Sequence, residues 1–224
     1  MRMRKKKNGA ARIAACGELL IEDTLRLKED PEYAFEEKRP LYIEIGCGKG
    51  NFACGIAAAH HESNFIAMEK VPDVACLALE KAKSRAEERP TPDNLRFIIG
   101  DAKNLSEWFP DSCADGLYLN FSDPWPKAGH AKRRLTYRVF LELYRKLLKD
   151  GGALVLKTDN VGLFDFSLEE FEACGLDVVW QTRDLHNSEY NEGNVMTEYE
   201  ANFSSKGFTI CSAKVIFHKE KKND

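Results

Sequence analysis

The sequence has no run of about 18 apolar residues, the length that a membrane-spanning helix needs. Its basic start, with Arg2, Arg4 and Lys5 to Lys7, leads into no apolar stretch of the kind that a secretory signal peptide contains. We therefore expect a cytoplasmic protein that does not bind a membrane.

Patterns of cysteine and histidine that would bind a metal are also missing. The 7 cysteines are scattered without a Cys-x-x-Cys pair, and the 5 histidines form no cluster at zinc-ligand spacing. The sequence predicts no metal site, and it predicts that the cysteines are small core residues in a reducing compartment.

Length and charge limit the organisation of the chain. At 224 residues and 43% hydrophobic content, it can bury one sizeable core but is short for two independent domains. We expect a basic tail with one peripheral helix near Gly17 to Glu29 in residues 1–40, a main domain at 41–218 and a charged tail at 219–224. A net charge of −3 argues against wholesale coating of nucleic acid, but basic residues cluster locally between Lys127 and Arg138.

From residue 41 onward, short apolar runs alternate with longer amphipathic stretches, which is typical of βα units around a parallel sheet. The strand candidates are Leu41 to Ile45, Asn64 to Met68, Leu95 to Ile99, Gly116 to Phe121 and Ala153 to Lys157. The helix candidates are Asn51 to His60, Pro72 to Glu88, Leu105 to Phe109, Thr136 to Lys149 and Leu163 to Cys174.

The alternation of strands and helices stops after Gly175. The segments predicted as strands beyond it are Leu176 to Gln181 and Phe208 to Phe217, with no full helix between them. This pattern predicts a doubly wound, Rossmann-like α/β fold with a mostly parallel seven-stranded sheet and an antiparallel last strand. The polar stretch from Thr182 to Lys206 is too long for an inert turn and is a candidate functional loop.

A glycine-rich segment, Glu44-Ile45-Gly46-Cys47-Gly48-Lys49-Gly50, ends the first strand and opens a helix. A dinucleotide-binding dehydrogenase would need glycine three positions after Gly48, where this chain has Asn51. The Gly-x-Gly-x-Gly spacing after an acid resembles the first motif of class I methyltransferases, which wraps S-adenosylmethionine. A tight βα turn with a strand-end carboxylate is the alternative.

Two further acids follow the next two strands. Glu69 lies about 20 residues after the loop, where an acid can accept hydrogen bonds from ribose hydroxyls, although alone it would be an ordinary solvated acid. Asp101 lies where class I methyltransferases contact the adenine amino group, and a helix N-cap is its alternative role. Three acids at successive strand ends favour a cofactor site at one edge of the sheet.

The segment Asn120-Phe121-Ser122-Asp123-Pro124-Trp125-Pro126-Lys127 follows the fourth strand, and its prolines stiffen the chain just beyond the Asp123 carboxylate. Trp125 is a candidate platform for base stacking or a packing residue. Downstream, the run from His130 to Arg134, with Arg138, predicts phosphate contact, with a solvated surface as the alternative.

Together these motifs, with Lys157-Thr158-Asp159-Asn160 and Thr197-Glu198-Tyr199-Glu200 plus Phe203, resemble the tRNA (guanine-N7)-methyltransferases over roughly residues 41–217. The resemblance implies methyl transfer from S-adenosylmethionine to N7 of guanosine 46 in the tRNA variable loop. It implies that the cofactor is bound by Glu44, Gly46, Gly48, Gly50, Glu69, Asp101 and Asp123.

The same resemblance implies roles around the acceptor. Asp123 becomes the catalytic candidate. The residues implied to contact RNA are Gly129, His130, Ala131, Lys132, Arg133 and Arg134. The residues implied to contact the substrate are Lys127, Asp159, Thr197, Glu198, Tyr199 and Glu200. A helix cap is the alternative for Asp159-Asn160, and a surface turn for Thr197 to Glu200. Ala128 and Gly129 stand where the family usually has further basic residues, so we expect either weaker RNA contact there or a more mobile loop.

Guanine N7 has an exposed lone pair and no proton, so methyl transfer needs no general base. A carboxylate near the base, for which Asp123 is the candidate, can stabilise the charge that moves onto the purine, while Glu200 or Asp159 holds the base edge. Three alternatives remain: a methyltransferase acting on protein or a small molecule, a non-catalytic RNA-binding module, and an NAD-dependent oxidoreductase. The sequence leaves open whether the protein is a monomer or a homodimer.

Overall fold

The computed structural model describes residues 7–88 and 93–219. Arg2, Arg4, Lys5 and Lys6 of the predicted basic tail, and residues 220–224 of the predicted charged tail, lie outside this part of the chain. The chain forms two compact units, one of Met1–Pro110 with Val195–Glu198 and one of Asp111–Asn194 with Tyr199–Asp224.

The first unit contains three parallel strands in the order β3-β2-β1, which are β1 (Leu41–Ile45), β2 (Asn64–Glu69) and β3 (Leu95–Ile99). Leu41 is in register with Asn64, and Phe65 with Leu95. These strands are buried along most of their length, as continuous apolar runs in a parallel sheet require. The helices of this unit are α1 (Gly9–Ala14), α2 (Asn51–Ala59), α3 (Pro72–Glu88) and α4 (Leu105–Trp108).

The predicted peripheral helix near Gly17 to Glu29 is wrong. This stretch has two single 3₁₀ turns, Gly17–Leu19 and Arg26–Lys28, joined by extended chain. Leu20 forms a parallel bridge with Phe97, and the Ile21 N–H donates to the Phe97 carbonyl at 2.9 Å. Leu19 and Ile21 are both buried, a spacing of two that suits an extended segment beside β3.

The second unit contains four strands in the order β4-β5-β7-β6: β4 (Ala114–Asn120), β5 (Leu148–Thr158), β6 (Asp177–Thr182) and β7 (Cys211–Phe217). β4 and β5 are parallel, whereas β7 is antiparallel to both β5 and β6. Its helices are α5 (Arg138–Leu147), α6 (Val161–Ala173) and, at the unit boundary, α7 (Glu198–Ser204).

The seven strands form a mostly parallel sheet that ends in the antiparallel β7–β6 pair, which confirms the predicted fold class. The stretch Thr182 to Lys206 was expected to be a long polar loop, but it also contains α7 and the 3₁₀ turns Leu185–Asn187 and Glu189–Asn191. β7 begins at Cys211 rather than at Phe208, whose side chain is 55% exposed. In the described residues, no helix is both long and apolar enough to span a bilayer.

Candidate functional site

The glycine loop after β1 has the backbone geometry that its sequence requires. Gly46, Gly48 and Gly50 have φ values of 84°, 56° and 75°, in the left-handed region that favours glycine. A Cβ at Gly50 would also lie 2.8 Å from the Cβ of Ala78, so this glycine allows α2 and α3 to approach closely. At Gly46 and Gly48 an added Cβ would meet no atom within 4 Å, so backbone conformation alone selects glycine there.

Glu69, at the end of β2, joins this loop to the next turn. Its Oε2 accepts a hydrogen bond from the Gly48 N–H at 3.1 Å, and its Oε1 accepts one from the Val71 N–H at 2.8 Å. Burial raises the pKa of Glu69 above its ordinary value, although these two hydrogen bonds oppose the rise. Each oxygen keeps a second lone pair, so the carboxylate can also accept a hydrogen bond from a ribose hydroxyl.

Glu44 is 5% exposed and lies in β1, next to its last residue. Burial, and then the charges of Glu44 and Glu69, raise the pKa of the Cys47 thiol well above its ordinary value. The loop therefore combines a neutral thiol with two nearby carboxylates. This negative potential suits a ligand that carries positive charge.

Asp101 acts as a helix cap, as the alternative interpretation predicted. Its Oδ1 accepts a hydrogen bond from the Lys103 N–H at 3.0 Å, and it precedes the 3₁₀ turn Ala102–Asn104. The side chain is exposed, and its neighbour Gly100 lies against the ring of Trp108, which a Cβ at Gly100 would overlap. Adenine contact by Asp101 stays a prediction that this cap does not prevent, because Oδ2 is not used in the cap.

The segment Val195–Glu198 packs on the first unit, beside the glycine loop. Lys49 donates to Glu198 Oε1 at 2.9 Å, and Lys81 lies 3.8 Å from Glu198 Oε2. The hydrogen bond from Lys49 lowers the pKa of Glu198 below its ordinary value. A Cβ at Gly55 in α2 would lie 2.6 Å from Val195 Cγ1, so the absence of a side chain there lets the segment reach the helix.

In the second unit, Asp123 lies in an irregular segment after β4 that we call the acceptor loop, residues 121–126. Phe121 and Trp125 have φ values of 53° and 41°, which are unusual for residues other than glycine. The Phe121 N–H donates to the Lys157 carbonyl at 2.8 Å. Asp123 itself is exposed, so its carboxylate is available to a ligand.

The basic segment after the acceptor loop forms the 3₁₀ helix Ala128–Arg133, in which Gly129, Lys132 and Arg133 are exposed and His130 and Ala131 are half-buried. The Arg133 guanidinium lies 4.9 Å from the Trp125 ring centroid, and the His130 ring lies edge-on to Trp125 at 5.7 Å. Trp125 thus packs within this segment, as one of its two interpretations predicted. Lys127, Lys132 and Arg133 keep exposed charge that can contact phosphates.

Arg138, which the sequence groups with this basic patch, is paired with a carboxylate of α6 although its side chain is 56% exposed, so its contact with phosphate stays a prediction. Its Nη2 donates to Glu170 Oε1 at 2.8 Å, and its backbone N–H and Nε donate to Glu170 Oε2 at 2.6 and 3.1 Å. The hydrogen bond from the guanidinium lowers the pKa of Glu170, and the pair fixes the start of α5 against α6.

A buried ion pair joins the end of β5 to α7. Lys157 Nζ donates to Glu200 Oε2 at 2.9 Å, and the two side chains are 4% and 0% exposed. The His186 ring lies 2.9 Å from Glu200 Oε1, and Asn194 donates to the same oxygen at 2.8 Å. Burial raises the pKa of Glu200, but the charge of Lys157 and these hydrogen bonds together lower it below its ordinary value.

Asp159 and Tyr199 meet beside this ion pair, where the Tyr199 hydroxyl donates to Asp159 Oδ2 at 3.2 Å. Tyr199 is 43% exposed and stacks on Phe203 at 4.1 Å. Asn160 is the N-cap of α6, since its Oδ1 accepts from the Leu163 N–H at 2.8 Å, as the alternative role predicted. The surface turn that was the alternative for Thr197 to Glu200 is not observed, because Glu198 to Glu200 form the start of α7 and Thr197 directly precedes it.

Within the first unit, the structure brings Gly48 next to Glu69, and within the second it brings Asp159 next to Tyr199. Sequence reasoning missed Lys49, Gly55, His186 and Asn194 as partners of the predicted segments. The polar composition of residues 182–206 was the only signal for the last two. No group of three or more potential metal ligands occurs among the described residues.

Comparison with known proteins agrees with this geometry. The family model described as "Putative methyltransferase" matches residues 38–213. A tRNA (guanine-N(7)-)-methyltransferase of Limosilactobacillus reuteri is 49% identical over 212 residues, which cover 94% of this chain and 96% of that protein. One from Halalkalibacterium halodurans is 42% identical over 225 residues and covers 100% of both chains.

Among solved structures, a 16S rRNA (adenine(1408)-N(1))-methyltransferase from Catenulisporales acidiphilia with cosubstrate SAM superposes with a TM-score of 0.54. It is 13% identical and covers 98% of this chain and 96% of that one, so it supports the fold alone. Fold and glycine loop define a class I methyltransferase that uses S-adenosylmethionine. Within this class, the chain belongs to the tRNA (guanine-N7)-methyltransferase family.

Proposed function

We propose that this protein transfers a methyl group from S-adenosylmethionine to N7 of guanosine 46 in the variable loop of cytoplasmic tRNA. The observation that carries the proposal is the 42–49% identity, across 94–100% of the chain, to relatives named as tRNA (guanine-N(7)-)-methyltransferases. The position in tRNA is taken from the resemblance of the acceptor loop and the Thr197 to Glu200 segment to that family.

The residues of the first unit fit the cofactor. When bound, S-adenosylmethionine supplies a methyl group on a positively charged sulfonium. Glu44 and Glu69 provide the negative potential that favours this charge, and Glu69 keeps acceptor capacity for ribose hydroxyls. An added Cβ at Gly46 or Gly48 would meet no atom within 4 Å, so there is open space beside this loop, and Asp101 Oδ2, which the cap does not use, can accept a hydrogen bond from an exocyclic amino group.

Asp123 is the group that we assign to the chemistry. Guanine N7 carries no proton, so a carboxylate at the acceptor acts by electrostatics rather than as a base. Asp123 stabilises the positive charge that develops on the purine, and its loop is tied to β5 by the hydrogen bond from the Phe121 N–H to the Lys157 carbonyl. The remaining acceleration comes from alignment of the base.

The residues predicted to contact the substrate differ in burial, and this difference separates those that can reach the base from those that hold the surrounding structure. Asp159, Thr197 and Tyr199 are at least partly exposed and can contact the base, with Lys127 alongside as a phosphate or base ligand. Glu200 is 0% exposed and accepts hydrogen bonds at both oxygens, so we assign it to holding α7 rather than to the base edge. Glu198 is committed to Lys49 and anchors the segment that carries Thr197.

Transfer of labelled methyl groups from S-adenosylmethionine to unmodified tRNA under single-turnover conditions tests the proposal. Asp123→Asn should lower the rate by roughly 10²- to 10³-fold, the usual effect of removing one preorganised electrostatic contact. Asp111→Asn, which changes another exposed aspartate of the same unit, is the matched control and should keep the wild-type rate. An unchanged rate in Asp123→Asn would remove this role from Asp123, whereas a wild-type protein that binds the cofactor but labels no tRNA would exclude tRNA as acceptor.

A further inference from the structure

We propose that Arg134 is a positioning residue for the acceptor loop and not one of the RNA-contacting cations. Sequence reasoning grouped it with Lys132 and Arg133 as a phosphate contact. The inference rests on the proposed function for its kinetic part, since the loop it holds carries Asp123. Its structural part depends only on the geometry of the second unit.

The guanidinium of Arg134 is directed at the backbone of the loop. Its Nε donates to the Pro124 carbonyl at 3.0 Å, and its Nη2 donates to the Trp125 carbonyl at 3.0 Å. These two acceptors lie on either side of Trp125, so one rigid fork spans that residue. The Nε–Nη2 edge of the guanidinium is therefore occupied by the loop backbone, and a bidentate contact between that edge and a phosphate would break both hydrogen bonds.

The backbone between these carbonyls is in a conformation that needs support. Trp125 has a φ of 41°, where the Cβ of a residue other than glycine is crowded. Such conformations persist where the surrounding structure holds them, and they are common at functional sites. The fork of Arg134 supplies that support at the residue two positions after Asp123.

The other surroundings of Arg134 also hold it inward. Its guanidinium lies 4.2 Å from the ring centroid of Phe166 in α6, and the side chain is half-buried. Its backbone N–H donates to the Ala131 carbonyl at 3.0 Å, which closes the preceding 3₁₀ helix. Lys132 and Arg133, by contrast, are exposed. Cations that are neighbours in the sequence therefore have different roles: Arg134 holds the loop backbone, whereas Lys132 and Arg133 are available to phosphates.

The variant Arg134→Lys distinguishes loop positioning from phosphate contact, because lysine keeps the positive charge but cannot form the planar fork. At saturating tRNA we expect kcat to fall roughly 10- to 100-fold, the scale of a small misplacement near the reacting atoms. The KM for tRNA and the salt dependence of tRNA binding should stay at wild-type values. In Lys132→Gln the slope of log K against log salt should instead fall in magnitude by about 1, because a phosphate contact is lost.

A measurement without RNA gives an independent readout. In protein labelled with 5-fluorotryptophan, the signal of Trp125, assigned with Trp125→Phe, should shift or broaden in Arg134→Lys and stay unchanged in Lys132→Gln. If Arg134→Lys does not fold, Phe166→Leu removes the ring behind the guanidinium and should lower kcat several-fold at an unchanged salt slope.

The proposal is overturned if Arg134→Lys keeps kcat and the wild-type Trp125 signal while Arg134→Gln weakens tRNA binding and lowers the salt slope by about 1. If Arg134→Lys does not fold and Phe166→Leu is measured instead, an unchanged kcat in Phe166→Leu also overturns the proposal. A wild-type protein that methylates no tRNA would remove the proposed function, yet the fluorine spectrum would still decide whether Arg134 orders the loop.

Discussion

Replacing Gly55 by alanine is expected to displace the segment Val195–Glu198 from α2. In an isolated helix this change would stabilise by about 0.5–1 kcal/mol, because glycine is a poor helix former. In this protein the new Cβ would lie 2.6 Å from Val195 Cγ1, far inside van der Waals contact. Valine is stiff about χ1, so relief requires movement of its backbone, and overpacking of this kind costs about 1–3 kcal/mol.

The two opposing terms leave a net destabilisation of about 1 kcal/mol, which lowers Tm by roughly 2–4 °C in a protein of this size. Because the segment carries Thr197, the KM for tRNA should rise while the affinity for S-adenosylmethionine stays the same. Thermal unfolding, cofactor titration and tRNA kinetics measure the three quantities. Gly162→Ala in α6 is the matched control, because its Cβ would meet only Asn160 Oδ1, at an ordinary 3.5 Å.

A second change tests the assigned contact directly. Val195→Ala removes the Cγ1 atom, so the double variant Gly55→Ala with Val195→Ala should recover both the Tm and the KM for tRNA relative to Gly55→Ala alone. The reasoning is refuted if Gly55→Ala gains stability as Gly162→Ala does and leaves the KM for tRNA unchanged.

Three further outcomes are expected. Lys157→Met should destabilise the protein by about 3–5 kcal/mol in urea unfolding, because it leaves Glu200 charged and buried without its cation; a loss below about 1 kcal/mol would contradict the assigned ion pair. Glu170, whose pKa is lowered by Arg138, should contribute stability above its unfolded pKa that is lost as the pH falls through the folded value, and Glu170→Gln should flatten that acid limb of the stability profile. Raising salt should weaken tRNA binding far more than cofactor binding, and equal weakening in filter-binding and calorimetric titrations would argue against phosphate anchoring.

Apolar pattern and glycine spacing predicted the parts of the fold that position the cofactor residues. β1 and β3 have the predicted bounds, because each is a continuous apolar run flanked by turn residues. The Gly46 to Gly50 loop also followed from sequence, since three left-handed residues in five leave glycine as the favoured choice. The N-terminal helix was wrong because Leu19 and Ile21 pack with a period of two beside β3.

Polar contacts between distant segments could not be predicted in the same way. The burial of Lys157 with Glu200 depends on a pairing across 43 positions, and nothing in either local pattern distinguishes it from two solvated charges. The same holds for Arg138 with Glu170, 32 positions apart. Arg134 is the clearest example. In the sequence it cannot be distinguished from the neighbouring cations that are candidates for phosphate binding, but in the structure its side chain donates to the Pro124 and Trp125 carbonyls.

The most direct test of the account is to locate the transferred methyl group in tRNA. Purified protein is incubated with labelled S-adenosylmethionine and an unmodified transcript, and the RNA is then cleaved chemically at N7-methylguanosine. A parallel transcript carries 7-deazaguanosine, which lacks the accepting nitrogen, at position 46 alone. The account predicts one cleavage in the variable loop at guanosine 46 and no label in the deaza transcript. Label that persists in the deaza transcript, or cleavage elsewhere, would contradict it.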